Sequence, residues 1–199
     1  HSLEHEADEA VRREIEVAIV ADPPSGVLQG LPRLRLVQSL WAGVERLLAD
    51  PTLPAGVPIA RMVDPALAAA MAETALWAVL SLHRGFFGYQ RQQRQSLWRQ
   101  LAQRRADEVP VTLLGFGAMG RACAAALQRA GYRVCAWTRS PAARSNDVPH
   151  IYGREALRQR LAETEIVINL LPLTPDTRGL LDAAFFAALR PQAALVNLG

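Results

Sequence analysis

The chain has 199 residues, 50% of them hydrophobic, enough for one large domain or two small ones. All 22 basic residues are Arg and face 19 acidic ones, a formal net charge of +3. With no Lys present, a Lys nucleophile, a Schiff base and a phosphate-loop Lys are excluded within this stretch. A pI near 9.4 reflects three surplus Arg charges and carries no nucleic-acid signal. Histidine occurs only at His1, His5, His83 and His150, too few for a His-rich metal site, so no metal is expected. Cys123 and Cys135 form neither a disulfide framework nor a metal spacing and read as small buried hydrophobes. No apolar run approaches the ~20 residues of a membrane span. The start, His1-Ser-Leu-Glu-His-Glu, lacks a signal-peptide pattern. A soluble, cytoplasmic protein with no membrane or nucleic-acid partner is expected.

Short Val/Ile/Leu-rich runs alternate with helical stretches, the pattern of an α/β protein with a largely parallel sheet. Strands are expected at 16–20, stopped by Asp22-Pro23-Pro24, and at 34–40. A short helix follows at 44–49, then a strand at 59–63. Asp64-Pro65 is a helix start, with Asp at the N-cap and Pro at the first turn. The Ala-rich helix after it runs through Leu82, and Gly85 and Gly88 interrupt or bend it. Residues 84–106 carry Arg84, Arg91, Arg94, Arg99, Arg104 and Arg105, many Gln and no acid. That segment reads as a solvated polar helix and linker, or as a crossing segment that packs on a partner subunit. Strands at 109–114, 132–137, 166–170 and 194–198 then alternate with helices at 118–130, 155–162 and 180–189. Gly131 caps the first of these helices.

The most informative motif is Gly115-Phe116-Gly117-Ala118-Met119-Gly120, a G-x-G-x-x-G between an expected strand and an expected helix. That context marks a dinucleotide-binding loop. Gly115 permits the tight turn, Gly117 lets backbone approach a pyrophosphate, and Gly120 lets the helix pack on the strand. The helix N-terminus offers free N–H groups to phosphate. The next strand ends in Trp137-Thr138-Arg139-Ser140, where NAD sites usually carry an acid for the ribose 2′-hydroxyl. No carboxylate follows in sequence until Asp147. Arg139, with the hydroxyls of Thr138 and Ser140, would receive a 2′-phosphate. NADP(H) is therefore expected over NAD(H).

Taken together these residues resemble the D-isomer-specific 2-hydroxyacid dehydrogenases, most closely their glyoxylate/hydroxypyruvate reductase branch. Ser39-Leu40-Trp41-Ala42-Gly43-Val44-Glu45 is similar to the family's substrate-domain loop. Met71-Ala72-Glu73 is similar to the opening of its inter-domain helix. Leu171-Pro172-Leu173-Thr174-Pro175-Asp176-Thr177 matches its Leu-Pro-x-Thr-x-x-Thr loop, and Val196-Asn197-Leu198-Gly199 resembles the strand before its catalytic Arg. The resemblance implies a Rossmann-type doubly wound parallel sheet plus part of a flavodoxin-like substrate domain. It implies residues 1–73 as a partial substrate domain, 74–108 as inter-domain helix and dimerisation segment, and 109–199 as a truncated NAD(P)-binding domain.

By position, Ala42 and Gly43 amides would hold a substrate carboxylate, with Trp41 covering it. Trp137, Thr138, Arg139 and Ser140, then Leu171, Pro172 and Thr177, would line the adenosine side of the coenzyme. Leu198 would face the nicotinamide through its backbone. The family's catalytic Arg, Glu and His have no counterpart here; the Arg is expected immediately after Gly199, and neither His83 nor His150 matches the His. The chain thus reads as the middle of a longer subunit. The implied activity is NADPH-dependent reduction of a small 2-oxo acid. The alternatives are another D-2-hydroxyacid dehydrogenase using NAD, or a non-catalytic, cofactor-gated binding protein of the same fold. A homodimer is expected, with the Arg-rich segment to Trp98 as its interface.

Overall fold

The computed structural model describes residues 9–139, 141 and 147–199. It divides into two compact units, residues 1–64 and 65–199, so the division falls at Asp64/Pro65 rather than at the expected 73. The helix start at Pro65 is itself the boundary.

The first unit contains α1 (Glu9–Arg13), β1 (Val17–Val20), β2 (Leu36–Ser39), α2 (Glu45–Leu48) and β3 (Ile59–Ala60). Its three strands are parallel, in the order β1-β2-β3. Val37 on the middle strand is fully buried and packs with Ala18, Val20, Leu28, Leu31, Leu34 and Leu47. The opposite face of β1, with Val17 and Ile19, is exposed. Alternation of side chains along a strand therefore gives this sheet one buried face. The short α1 has no hydrophobic face, so periodicity gave no sign of it.

The second unit opens with α3 (Pro65–His83) and α4 (Phe86–Arg94), followed by a single 3₁₀ turn at Ala106–Glu108. Then come β4 (Pro110–Leu114), α5 (Ala118–Arg129), β5 (Arg133–Thr138), β6 (His150–Tyr152), α6 (Arg154–Leu161), β7 (Ile166–Asn169), α7 (Ala183–Ala188) and β8 (Ala194–Asn197). All five strands are parallel, in the order β6-β5-β4-β7-β8. On one face Ala72, Ala75 and Val79 of α3 pack with Cys123, Ala124 and Leu127 of α5. On the other, Leu157 and Leu161 of α6 pack with Phe185 of α7, Leu114 and Val167. Covered on both sides, β7 is buried along its whole length and β4 nearly so. This is the expected doubly wound α/β sheet.

Alanines on the inner side of α3 let it lie close to α5. α3 is also long and apolar enough to cross a membrane by length and composition, against the expectation that no run approaches that length. Its apolar length is used instead to pack one side of the sheet. Gly85 ends it in the left-handed region (φ 72°), where a Cβ would also stand 2.6 Å from Leu101 Cδ1. α4 then turns away, and residues 95–105 return along it: Leu101 N donates to Tyr89 Oη at 3.0 Å. His83 ties this return to the sheet, with Nδ1 2.8 Å from Tyr132 Oη and Nε2 2.9 Å from Arg104 O. His83 is therefore structural. As expected, Gly131 caps α5 with a positive φ of 88°, its N–H reaching Gln128 O. β6 was not anticipated, because only three residues pair with β5. Both cysteines are buried, and burial pushes the Cys123 thiol up to about 11.

Glu165, just before β7, accepts from Arg104 Nη1 at 2.7 Å and from Arg190 Nη1 at 2.8 Å. The Arg104 hydrogen bond outweighs desolvation and holds this carboxyl below its usual value. A depressed carboxyl contributes stability above its unfolded pKa and loses it as pH falls through the folded pKa. Glu165→Gln should therefore cost about 1 kcal/mol at neutral pH, the two arginines being partly solvated. The gap to wild type should close as pH falls below about 4. Thermal melts of both proteins across pH 3–7 check this.

Candidate functional site

The phosphate loop begins where β4 stops. Gly115 takes φ 99°, and its N–H donates to Trp137 O at 2.9 Å, so the turn hangs on the end of β5. A Cβ there would meet Leu171 Cδ2 at 3.2 Å and Leu170 O at 3.3 Å. Gly120, one turn into α5, is tighter still: its Cβ would lie 2.4 Å from Gly115 O. Gly117 is different. Its φ is −75°, which any residue adopts, and a Cβ there would touch nothing within 4 Å. Neither strain nor packing inside the protein requires glycine at 117. Glycine at 117 instead leaves the loop backbone open to close approach by a pyrophosphate.

The first intrahelical bond of α5 is Arg121 N to Gly117 O. The amides of Gly117, Ala118 and Met119 have no acceptor among the described residues, and Gly117 and Ala118 are exposed. This is a cradle of N–H donors at the positive end of a twelve-residue helix. Phe116 contributes no side chain to it. Its ring is buried and meets His150 edge-on at 4.4 Å between centroids. His150 Nδ1 lies 2.6 Å from Val148 O, which leaves this ring beneath the loop rather than in the crevice.

The residues expected on the adenosine side separate into two groups. Trp137 is core: it is buried with Leu114, Leu157 and Leu161, and its Nε1 donates to Gly153 O at 2.9 Å. Thr138, the last residue of β5, is 7% exposed. Arg139 emerges into solvent and forms an ion pair with Asp176. The carboxylate absent from the local sequence until Asp147 is thus supplied by Asp176 in the loop after β7. A separation of 37 residues hides that neighbour from any local pattern. Ser140 lies outside the described residues.

That loop is held by its own polar groups. Thr177 Oγ1 donates to Pro172 O and accepts from Thr174 N at 2.8 Å, so the Thr177 hydroxyl is used inside the turn. Pro172 is exposed, while Leu171 packs against the core on the α6–α7 side. Asn169 Nδ2 donates to Asn197 Oδ1 at 2.8 Å, joining the ends of β7 and β8. Leu198 N donates to Asn169 O at 2.9 Å, leaving its side chain against the core. Gly199 sits where a Cβ would lie 2.4 Å from Leu171 O. These groups meet at the carboxyl ends of β4, β5, β7 and β8, the place where open parallel sheets form the crevice that binds ligands.

In the first unit, Trp41, Ala42 and Gly43 follow β2 and precede α2. Trp41 N donates to Ser39 Oγ at 3.0 Å, and the Trp41 ring is about half exposed. The Ala42 and Gly43 amides donate to no described group. Two charged neighbours were not anticipated: Arg61 Nη1 reaches Ala42 O at 3.3 Å, and the Glu45 carboxylate folds over Gly43. Among the described residues no cluster of three His, Cys, Asp or Glu could hold a metal ion.

Comparison with known proteins places this geometry. A family model for the NAD-binding domain of D-isomer specific 2-hydroxyacid dehydrogenases matches residues 76–199. A glyoxylate/hydroxypyruvate reductase A from Serratia proteamaculans is 39% identical over 191 residues, covering 94% of this chain and 61% of the relative. One from Yersinia enterocolitica is 35% identical over 188 residues, covering 92% and 60%. The chain therefore spans about three fifths of the length of the curated relatives it matches. A D-isomer specific 2-hydroxyacid dehydrogenase from Xanthobacter autotrophicus, solved with NADPH and MES, superposes with a TM-score of 0.88 at 40% identity, covering 94% of this chain and 58% of that one. An NADPH-dependent glyoxylate/hydroxypyruvate reductase from Sinorhizobium meliloti, solved with NADP and sulfate, gives 0.85 at 34% identity, covering 94% and 60%. With its fingerprint loop, parallel sheet and matched domain in agreement, the chain belongs to the D-isomer specific 2-hydroxyacid dehydrogenases.

Proposed function

We propose that the protein reduces a small 2-oxo acid of the glyoxylate/hydroxypyruvate type to its 2-hydroxy acid, with NADPH as the hydride source. The carrying observation is the open space at Gly117 above free helix amides, beside a strand that is followed by Arg139 rather than by an acid. The relatives solved with NADPH and NADP support the same coenzyme. Gly117, Ala118 and Met119 would receive the pyrophosphate by backbone, Gly115 would shape the turn that presents them, and Gly120 would hold α5 close enough for them to do so. Thr138, Arg139 and Ser140 would receive the ribose 2′-phosphate, while Pro172 and the backbone near Leu171 and Leu198 would line the rest of the crevice. Phe116, Trp137 and Thr177 would act through packing and loop geometry rather than through contact with the coenzyme.

In the first unit, the Ala42 and Gly43 amides would bind the substrate carboxylate and Trp41 would cover it. In the family that this reading invokes, a His tuned by a Glu would move the proton at the substrate oxygen, and an Arg would hold the substrate's carboxylate and carbonyl. The inter-domain helix and residues to Trp98 would form a homodimer contact. Support comes from Phe86, Leu97 and Trp98, all exposed, the last at 92%. A reducing, cytoplasmic setting suits two free cysteines.

Two glycine variants separate fold from ligand. Gly117→Ala should leave stability within about 0.5 kcal/mol and weaken NADPH binding about tenfold or more. Gly120→Ala should cost about 2 kcal/mol or more, because α5 must move off β4. Melting curves and fluorescence titrations of both variants decide the matter. Arg139→Asp should weaken NADPH binding by about 10- to 100-fold, the worth of a charge-assisted pair, and leave NADH nearly unchanged. Equal or tighter NADH binding by the wild type would instead favour an NAD-dependent dehydrogenase of another 2-hydroxy acid. Light scattering of the full-length protein should give a dimer, and a monomer would refute the assigned contact.

A further inference from the structure

Arg139 follows β5 directly, and Asp176 lies in the loop after β7. β5 and β7 flank the central strand β4 on opposite sides. Their ion pair therefore spans the end of β4, across the mouth of the crevice at which the phosphate loop opens. Its two side chains are 72% and 63% exposed. A pair so solvated contributes little to the fold. It can also open readily, because water solvates both partners once they separate. Its consequence lies in what it does to a ligand that needs the same guanidinium.

We propose that Asp176 is a specificity-determining residue that competes with the ribose 2′-phosphate for Arg139. The proposal rests on the reading that Arg139 receives that phosphate. A phosphate monoester carries close to two negative charges and three acceptor oxygens, against one charge on a carboxylate. It can therefore displace Asp176 from the guanidinium fork. A neutral 2′-hydroxyl cannot, so NADH leaves the ion pair intact. Asp176 thus weakens binding of the phosphorylated coenzyme alone. Its displacement also frees the 171–178 loop from the β5 side, while the Thr177 bonds keep the turn itself folded.

The test is a double-mutant cycle in the full-length protein, read by fluorescence titration with NADPH and with NADH. Asp176→Asn should tighten NADPH binding at least about threefold and leave NADH within about twofold, with an unchanged melting temperature. In an Arg139→Ala background the same substitution should have no effect on either coenzyme. A gain that persists without Arg139, or that is equal for NADH, means a general field effect and overturns the competition. An unchanged or weaker NADPH affinity in Asp176→Asn overturns it as well. If Arg139→Ala keeps full preference for NADPH, the underlying phosphate assignment fails, and the competition with it. If Arg139→Ala loses that preference and Asp176→Asn brings no gain, the competition alone is wrong.

Discussion

Gly120 rests on the carbonyl of Gly115 at a distance no side chain could share. That single backbone contact sets how closely α5 lies against β4. It carries the rest of the coenzyme unit with it. With α5 pressed on the sheet, Cys123, Ala124 and Leu127 reach the core that α3 completes with its alanines. The same approach leaves the first amides of α5 above the end of β4, facing outward. A larger residue at 120 would move the helix, and the amide cradle would move with it. Packing and binding geometry are here one constraint, because rigid helix and rigid strand share a glycine-only contact.

The parallel sheet buries polar atoms as well as apolar ones, and it satisfies them locally. Thr112 in the centre of β4 meets Thr164 at 2.7 Å, and Thr164 in turn donates to Arg160 O at 2.8 Å. Asn169 and Asn197 pair across the ends of β7 and β8. Leaving such groups unpaired would cost more than their bonds gain, so the pairs fix strand register as well as stability. At the opposite end of β7, Glu165 joins two arginines from segments far apart in sequence. The return of the Arg-rich segment is fastened there and at His83.

Charge in the crevice follows from the exclusive use of Arg. Guanidinium offers a planar fork that suits carboxylate and phosphate alike. Arg139 meets Asp176 with that fork, and a phosphate would present similar oxygens to it. The two walls of the crevice are therefore linked by a contact that a ligand of the same chemistry can replace.

Local pattern alone determined the order of the strands and long helices, since burial on both faces writes continuous apolar runs and α5 carries its own glycine start and cap. It also made the phosphate loop legible, through the local turn at Gly115 and the contact of Gly120 with the Gly115 carbonyl five residues before it. Elements with little burial of their own, such as α1 and the three-residue β6, left no such trace. The tertiary structure decided which side chains the crevice keeps. Trp137 and Phe116 turn into the core because the strand pleat and the loop direct them inward. Gly117 is distinguished from Gly120 by the empty space beside it, and from Gly115 by that space and by its negative φ. Asp176 reaches Arg139 because β5 and β7 both border β4, an adjacency set by sheet order rather than by chain distance. Periodicity records whether a residue is buried; which distant loop stands opposite it depends on how the strands are ordered in space.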